Sequence, residues 1–460
     1  MMMLGNSDGV LLIGTTKKVS LIFILSFTAL AVIDSTIVKF YVTSGEELSA
    51  SYNVMIFVLF SIVFAYIGFT LLISTNKYGK NLVYKLPARL KYLYGVALAT
   101  QTLMVGILIT IMLQMTLWNK YNIILLQVAT YVTHVSALIF LILLVLMFIG
   151  WLKSRRNYIS LLFTIAFSLV SATILVSLIY LEYQFSRTVI PDRKPFPINT
   201  YVIRQDAPPF AESFATTFDA LSLSSFFVIW LASTVLLSHY RFKLGKIKYY
   251  TLVAIPLIYY LFPFESYLGN FFSPLMLNSP ITFTIIYNLF FSATKQVGAL
   301  LFSLAFLTAS SLVSKDRIKK SLLMSAIGIA LLFGSIEIIT LQYRLYPPFG
   351  LVTEAFMPLG SYLLFVGIFT SAIGVSRDAQ LRKEFYKSAE SQLGLLKTIG
   401  VTQMENELLK EYKPILNRSK ILEKYVDQNL EQPDVKEIIR DVLNELQSRE
   451  NISDKSKNKG

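Results

Sequence analysis

Long apolar segments separated by short polar ones recur along most of the chain. Ten segments reach or approach the roughly 20 residues that cross a hydrocarbon core about 30 Å thick. They cover residues 20–41, 52–75, 92–118, 123–152, 158–183, 214–238, 249–262, 283–313, 321–342 and 350–375. The pattern predicts an all-α fold, in which a polytopic transmembrane helical bundle of about ten spans occupies residues 1–375. A C-terminal cytoplasmic helical tail is predicted to follow.

Two of the segments leave alternatives open. The seventh, 249–262, is short, contains Pro256 and is followed by Pro263, so a kinked, tilted or partly re-entrant helix competes with a full span. In the first segment, Lys17, Lys18 and a following short apolar run resemble a cleaved secretory signal. The apolar run continues past Asp34 to spanning length, which favours a retained first span.

Basic residues fall in every second loop. These loops contain Lys17 and Lys18; Lys77, Lys80, Lys85, Arg89 and Lys91; Lys153, Arg155 and Arg156; Arg241, Lys243, Lys246 and Lys248; and Lys315, Arg317, Lys319 and Lys320. Short cytoplasmic loops collect Lys and Arg, so the alternation predicts a multi-pass protein of the plasma membrane with both termini in the cytoplasm. The longest external loop is then 184–213.

Composition agrees with a membrane location. The chain is 54% hydrophobic and 15% charged, whereas soluble domains have about 25% charged residues. Nearly all of the net charge of +14 lies in residues 1–375, so the basic character concerns topology and anionic lipid, and no nucleic-acid partner is predicted. The absence of cysteine excludes disulfides and thiolate metal sites.

The predicted tail, 376–450, is charged and amphipathic. Apolar residues recur at spacings of three and four from Leu381 to Ile399, and further helices are indicated up to Leu446, whereas 451–460 is polar and is predicted to be disordered. The apolar stripes are too narrow for a large core. Residues 379–448 therefore either pack on themselves as a small bundle or form a homodimer or bind a protein partner.

Three ionisable side chains fall inside predicted spans: Asp34, Lys295 and Glu337. A charge at mid-helix costs about 2.5 to 3.5 kcal/mol on insertion scales, which makes such residues functional candidates. Their opposite signs at similar depths indicate a buried ion pair or triad that joins helices, with an ion pathway as the alternative.

A mixed set of charges is predicted at the outer helix ends, as a candidate external rim. Its members are Glu182, Asp219, Glu265, Glu354 and Arg344. Such a rim suits a cation or a polar ligand, but solvated loop charge is the favoured interpretation. His134, in the fourth span, is interpreted as a hydrogen-bonded residue between helices.

Small residues at four-residue spacing predict close helix packing in the last two spans. They are Ala326, Ala330 and Gly334 on the ninth span and Gly367, Ser371 and Gly374 on the tenth. The two helices are expected to pack tightly and to couple to the tail.

No sequence motif indicates catalysis. The chain lacks zincin, phosphate-loop and dinucleotide-binding patterns and any Ser/His/Asp arrangement, so we expect no enzyme, no catalytic residue, no metal site and no cofactor.

Several stretches carry a resemblance. Tyr346-Pro-Pro-Phe-Gly-Leu-Val-Thr, Gly360-Ser-Tyr, Ser376-Arg-Asp with Leu381-Arg-Lys, and Gly400-Val-Thr-Gln-Met-Glu resemble a group of archaeal multi-spanning proteins of unassigned function. The resemblance implies a membrane segment that leads into a cytoplasmic helix. The layout is also similar to the input half of a multi-spanning sensor, but the tail has no histidine to phosphorylate and no nucleotide-binding domain.

Three functions compete at this point. The leading one is a sensor, receptor or scaffold that couples the membrane bundle to the tail. The alternative is a secondary transporter or ion pathway that uses Asp34, Lys295 and Glu337, because five spans plus five would place the halves in inverted orientation. A structural subunit of a membrane complex is the third.

Overall fold

The structure is a computed structural model that describes fourteen stretches of the chain. These are residues 17–44, 50–82, 88–118, 121–154, 158–186, 188–189, 202–203, 209–238, 241–257, 273–279, 282–283, 298–311, 316–336 and 347–377. The chain separates into two units, Met1–Met404 and Glu405–Gly460, and every described residue belongs to the first. The predicted tail from residue 378 onward, with its disordered end at 451–460, lies outside the described residues.

Long helices form most of the described structure. The first six are α1 (Lys17–Ser44), α2 (Ala50–Leu82), α3 (Ala88–Trp118), α4 (Ile123–Ser154), α5 (Tyr158–Ser186) and α6 (Pro209–Ser238). Between α5 and α6, inside the predicted external loop, two short strands, β1 (Thr188–Val189) and β2 (Val202–Ile203), pair antiparallel.

The later helices are shorter and more interrupted. They are α7 (Arg241–Leu244), α8 (Lys246–Ala254), α9 (Ser273–Asn278), α10 (Gly298–Ser311), α11 (Asp316–Ile336), α12 (Leu351–Glu354) and α13 (Met357–Arg377). A glycine with a positive φ of 83°, Gly245, separates α7 from α8. In the described part of the predicted seventh span, helix α8 is followed by a short 3₁₀ turn at 255–257.

Seven helical segments within the described ranges are long and apolar enough to cross a membrane. They are Tyr52–Asn76, Lys91–Trp118, Ile123–Lys153, Tyr158–Tyr183, Thr216–Ser238, Ile318–Ile336 and Leu351–Gly374. Each matches a segment predicted from the sequence. The prediction of a mainly helical chain with several segments able to span a membrane is therefore confirmed.

Two of these helices occupy the interior of the bundle. Inside the fold, 89% of the Ile318–Ile336 window and 94% of the Leu351–Gly374 window are buried, compared with between 33% and 50% for the other five. Helix α13 packs against α11 and also against α2, α3 and α4, while α1 packs against α11. Helices α2 to α6 pack each against the next in chain order.

The outer helices present apolar side chains on their outward faces. Ile22, Met55, Ile62, Leu117 and Leu146 are each at least 58% exposed. Apolar faces of this extent are unusual on soluble monomers and are the expected surface against lipid chains. The core lies on the opposite faces, where aromatic residues such as Phe140, Phe148 and Phe163 are fully buried.

Candidate functional site

The last long helix is broken at a buried position near its start. Pro347 and Pro348 precede Gly350, which has a φ of 90° that favours glycine, and the short helix α12 then ends in a turn at Ala355 and Phe356. Pro358, one residue into α13, has no backbone N–H to donate to the carbonyl four residues earlier. That carbonyl belongs to Glu354, so it lacks the helical hydrogen bond from position 358.

Asp34 of α1 joins this break to the first helix. Its carboxylate is 1% exposed. Oδ1 accepts a hydrogen bond from the backbone N–H of Gly350 at 3.0 Å, and Oδ2 accepts one from the hydroxyl of Thr353. Both oxygens of Asp34 therefore have donors, and the side chain holds the start of α12 in position.

Glu354 is fully buried, although the sequence placed it on a solvated external rim. That interpretation is wrong, because α12 begins inside the bundle and points this residue inward. Oε1 accepts a hydrogen bond from the Thr133 hydroxyl at 2.9 Å and lies 3.2 Å from Nδ1 of His134. Oε2 is buried and has no hydrogen-bond partner among the described residues.

His134 links Glu354 to two further elements. Its Nδ1 lies 2.9 Å from the backbone carbonyl of Thr130, and its Nε2 lies 3.3 Å from the Ser177 hydroxyl of α5. A carbonyl oxygen only accepts, so the contact with Thr130 assigns a hydrogen to Nδ1. The interhelical hydrogen bonding that the sequence favoured for His134 is confirmed.

These groups lie at one depth in the bundle. Thr133 follows the start of α4 at Ile123 by about ten residues, or about 15 Å at the helical rise, and Asp34 precedes the end of α1 at Ser44 by a similar length. Both helices continue for about 25 Å or more beyond this level toward their other ends. The buried acidic centre, defined as Asp34, His134, Thr133, Thr353 and Glu354, is therefore far from both ends of the helices.

Aromatic rings enclose the break on the side of α1 and α2. The ring of Phe356 makes edge contacts with those of Phe27 and Phe64, at centroid distances of 5.2 and 4.8 Å, and Phe349 lies 6.5 Å from Phe57. Apolar walls of this kind strengthen the electrostatic interactions inside them.

Of the remaining charged candidates, the two that the structure describes do not join this centre. Glu182 is exposed on α5 and accepts a hydrogen bond from the hydroxyl of Tyr131, and Asp219 is exposed on α6. The other candidates lie outside the described residues: Lys295 and Glu337 of the intramembrane set, and Glu265 and Arg344 of the rim. The predicted triad of Asp34, Lys295 and Glu337 stays a prediction.

Helices α11 and α13 are antiparallel and approach each other at their glycines. A Cβ on Gly328 would lie 2.5 Å from the backbone nitrogen of Leu364, and one on Gly360 would lie 2.6 Å from that of Leu332. A Cβ on Gly367 would meet Ser325 in the same way, at 2.4 Å from its Oγ.

The small residues predicted for this packing lie on or beside the contact. Gly374 adjoins Ile318, Ser371 donates to the carbonyl of Gly367, and Ala326, Ala330 and Gly334 are all buried in α11. Gly328 was missed, because the four-residue ladder starting at Ala326 runs along an adjacent stripe. The alternative series Ser321, Ser325, Gly328 was the signal for it.

The sequence also overlooked the polar residues around Glu354. Thr130, Thr133 and His134 share one face of α4 at helical spacing, which was a readable signal once a carboxylate was known to face them. Among the described residues, no group of three or more His, Cys, Asp or Glu side chains could hold a metal ion. A cluster of hydroxyls, one imidazole and two carboxylates is suited to binding and releasing a small cation or proton.

Comparison of the chain with protein-family models, with curated proteins and with solved structures finds no match.

Proposed function

We propose that the chain is a multi-pass plasma-membrane protein with ten spans and both termini in the cytoplasm. Seven apolar helices and the alternation of basic and base-poor loops support this topology. Because the chain has no cysteine, single cysteines can be introduced without a prior cysteine-free background.

Labelling of such cysteines tests the topology. In intact cells, an impermeant maleimide should label Lys120→Cys, between α3 and α4, and should label Ser154→Cys only after lysis. Labelling of both before lysis, or the reverse pattern, would reject the proposed orientation.

The activity that we propose is that of a secondary transporter or ion pathway, without catalysis, in which the buried acidic centre takes up the transported cation. One observation carries it: the carboxylate of Glu354 lies fully buried in the break between α12 and α13, with one oxygen lacking a partner among the described residues. Intramembrane carboxylates are costly and mark ion and proton paths, and broken helices at mid-depth are the usual sites of substrate and ion binding in transporters.

This proposal modifies the pathway derived from the sequence. The proposed pathway keeps Asp34, adds Glu354 and does not require Lys295 or Glu337. The five-plus-five inverted arrangement is consistent with it.

Flux through proteoliposomes tests the activity. Purified protein should pass H⁺ or Na⁺ down an imposed gradient, and Glu354→Gln should reduce the flux to that of empty vesicles, because glutamine keeps the shape and loses the charge. Glu182→Gln, at an exposed carboxylate on α5, is the matched control and should keep the native flux. If the native protein passes neither H⁺ nor Na⁺, the proposed activity is rejected.

A sensor or scaffold is the second candidate, and the contact between α11 and α13 favours it. Their backbones meet at Gly328 and Gly360, so a displacement of one helix must move the other, and α13 leads into the predicted tail. Affinity purification should then recover a partner, or a second copy of the chain, that is lost when residues 379–448 are deleted. Recovery of the same proteins by the truncated chain would count against this candidate.

A further inference from the structure

The two buried carboxylates differ in how completely their oxygens are bonded. Asp34 accepts from a backbone N–H and a hydroxyl, one on each oxygen. Glu354 receives its donors on Oε1, and its Oε2 has no partner among the described residues. A carboxylate with both oxygens bonded is stabilised as a fixed anchor, whereas a half-bonded one retains capacity for a further group.

The hydrogen bonds of His134 determine where this group can go. Nδ1 already carries the hydrogen that it donates to the Thr130 carbonyl, and Glu354 Oε1 lies 3.2 Å from the same nitrogen. Nε2 faces the hydroxyl of Ser177, which both donates and accepts. Nε2 can therefore accept from Ser177 when the imidazole is neutral, and donate to it when the imidazole is charged, by rotation of one hydroxyl.

Charge makes the uptake of one proton favourable. With a neutral imidazole, an ionised Glu354 is a single buried negative charge, which is expensive at this depth. A proton taken from water onto Nε2 turns the pair into imidazolium and carboxylate with no net charge, 3.2 Å apart. No other bond is broken, and release of the same proton restores the starting state.

The other ionisable side chains on the surrounding described elements are few. Asp34 on α1 is held by its two donors, and Tyr362 on α13 packs its ring against Phe140 of α4. Tyr131 and Glu182 bond to each other at the exposed surface. Among these described groups, His134 has a second nitrogen that faces a hydroxyl able to reverse its hydrogen bond.

A metal cation fits the same place less well. Sodium and calcium bind through several oxygen atoms, whereas no group of three or more His, Cys, Asp or Glu side chains in the described part of the chain could hold a metal ion.

We infer, on the basis of the proposed ion pathway, that the cation taken up by the buried acidic centre is a proton. It binds the His134–Glu354 pair, with Ser177 as the reversible partner of Nε2 and Asp34 as a positioning residue.

Nitrogen NMR of the histidines provides the test. The chain has only two, His134 and His239, so full-length protein labelled with ¹⁵N-histidine in lipid gives two imidazoles, and His239→Gln assigns them. We expect Nδ1 of His134 to carry a hydrogen at every pH and Nε2 to gain one as the pH falls. Glu354→Gln should abolish that gain, because the imidazolium loses its counter-charge, and Glu182→Gln should leave it unchanged.

Three outcomes would overturn the inference: a bare Nδ1 in the neutral imidazole, an Nε2 that never gains a hydrogen, or a gain that persists in Glu354→Gln. The native protein alone decides the first two, so they do not depend on folding of a variant. Flux measurements in proteoliposomes distinguish a failure of the inference from a failure of the proposed function. Sodium flux without proton flux would overturn the inference and leave the transporter proposal standing.

Discussion

The carboxylate of Glu354 lies against the imidazole of His134, with Oε1 3.2 Å from Nδ1 and both side chains fully buried. The two residues lie 220 positions apart in the chain, on α12 and α4. Thr133 adds a hydrogen bond to the same oxygen. The break before α13 is therefore connected to α4 through polar contacts between buried side chains.

Removal of the Glu354 carboxylate is expected to destabilise the bundle. Glu354→Leu removes the hydrogen bond between the Thr133 hydroxyl and Oε1, although the Thr130 carbonyl stays within reach of both Thr133 and His134. A hydrogen bond to a charged group contributes about 1.5–3 kcal/mol. Glu354→Gln keeps a carbonyl oxygen and should lose less. Thermal unfolding in detergent measures both, with Glu182→Gln as the exposed control. Equal stability of Glu354→Leu and the native protein would contradict the arrangement described here.

Asp34 is expected to stabilise the fold by accepting hydrogen bonds from its two donors. Asp34→Ala leaves the N–H of Gly350 and the hydroxyl of Thr353 without an acceptor, at about 1–3 kcal/mol for each. Asp34→Asn retains an acceptor for Gly350 and should be markedly milder in the same unfolding measurement. If asparagine were as damaging as alanine, the charge of Asp34 would matter more than its hydrogen bonds.

A single methyl group added at the contact between α11 and α13 is expected to destabilise the fold. In Gly328→Ala, the new Cβ would lie 2.5 Å from the backbone of Leu364, and overpacking of this kind costs about 1–3 kcal/mol. Gly106→Ala is the matched control, because nothing lies within 4 Å of its Cβ position. Alanine there should raise helix stability by about 0.5–1 kcal/mol. Thermal unfolding of the pair should give shifts of opposite sign.

Gly350 is expected to tolerate only residues that accept a positive φ. At a φ of 90° a β-branched side chain is strained, so Gly350→Val should cost about 1–3 kcal/mol. Gly350→Asn should be less harmful, because asparagine adopts this region more readily. The valine variant should also lose proteoliposome flux, since it displaces Glu354. Native stability and flux in Gly350→Val would show that the turn has another conformation.

Much of the fold was readable in the sequence because membrane insertion is a local requirement. Each span needs its own apolar length, so the segments at 52–75, 92–118, 123–152, 158–183 and 214–238 could be placed one at a time and reappear as long helices. Asp34 could be predicted as a charge inside the first apolar segment for the same reason, and it is buried in the structure. The sequence shows Gly350 and the prolines near it, but it does not show that they place the start of α12 inside the bundle.

The location of Glu354 depended on the tertiary structure. Counted along the sequence, it falls near the start of a span, which placed it among the external charges. Its partners Thr133 and His134, and the pairing of Gly350 with Asp34 across 316 residues, depend on which helices become neighbours. Hydropathy determines the length and depth of each helix independently of the other helices. The pairing of helices is decided by backbone approach at residues such as Gly328 and Gly360 and by buried polar groups finding partners, and these interactions exist only in the folded bundle.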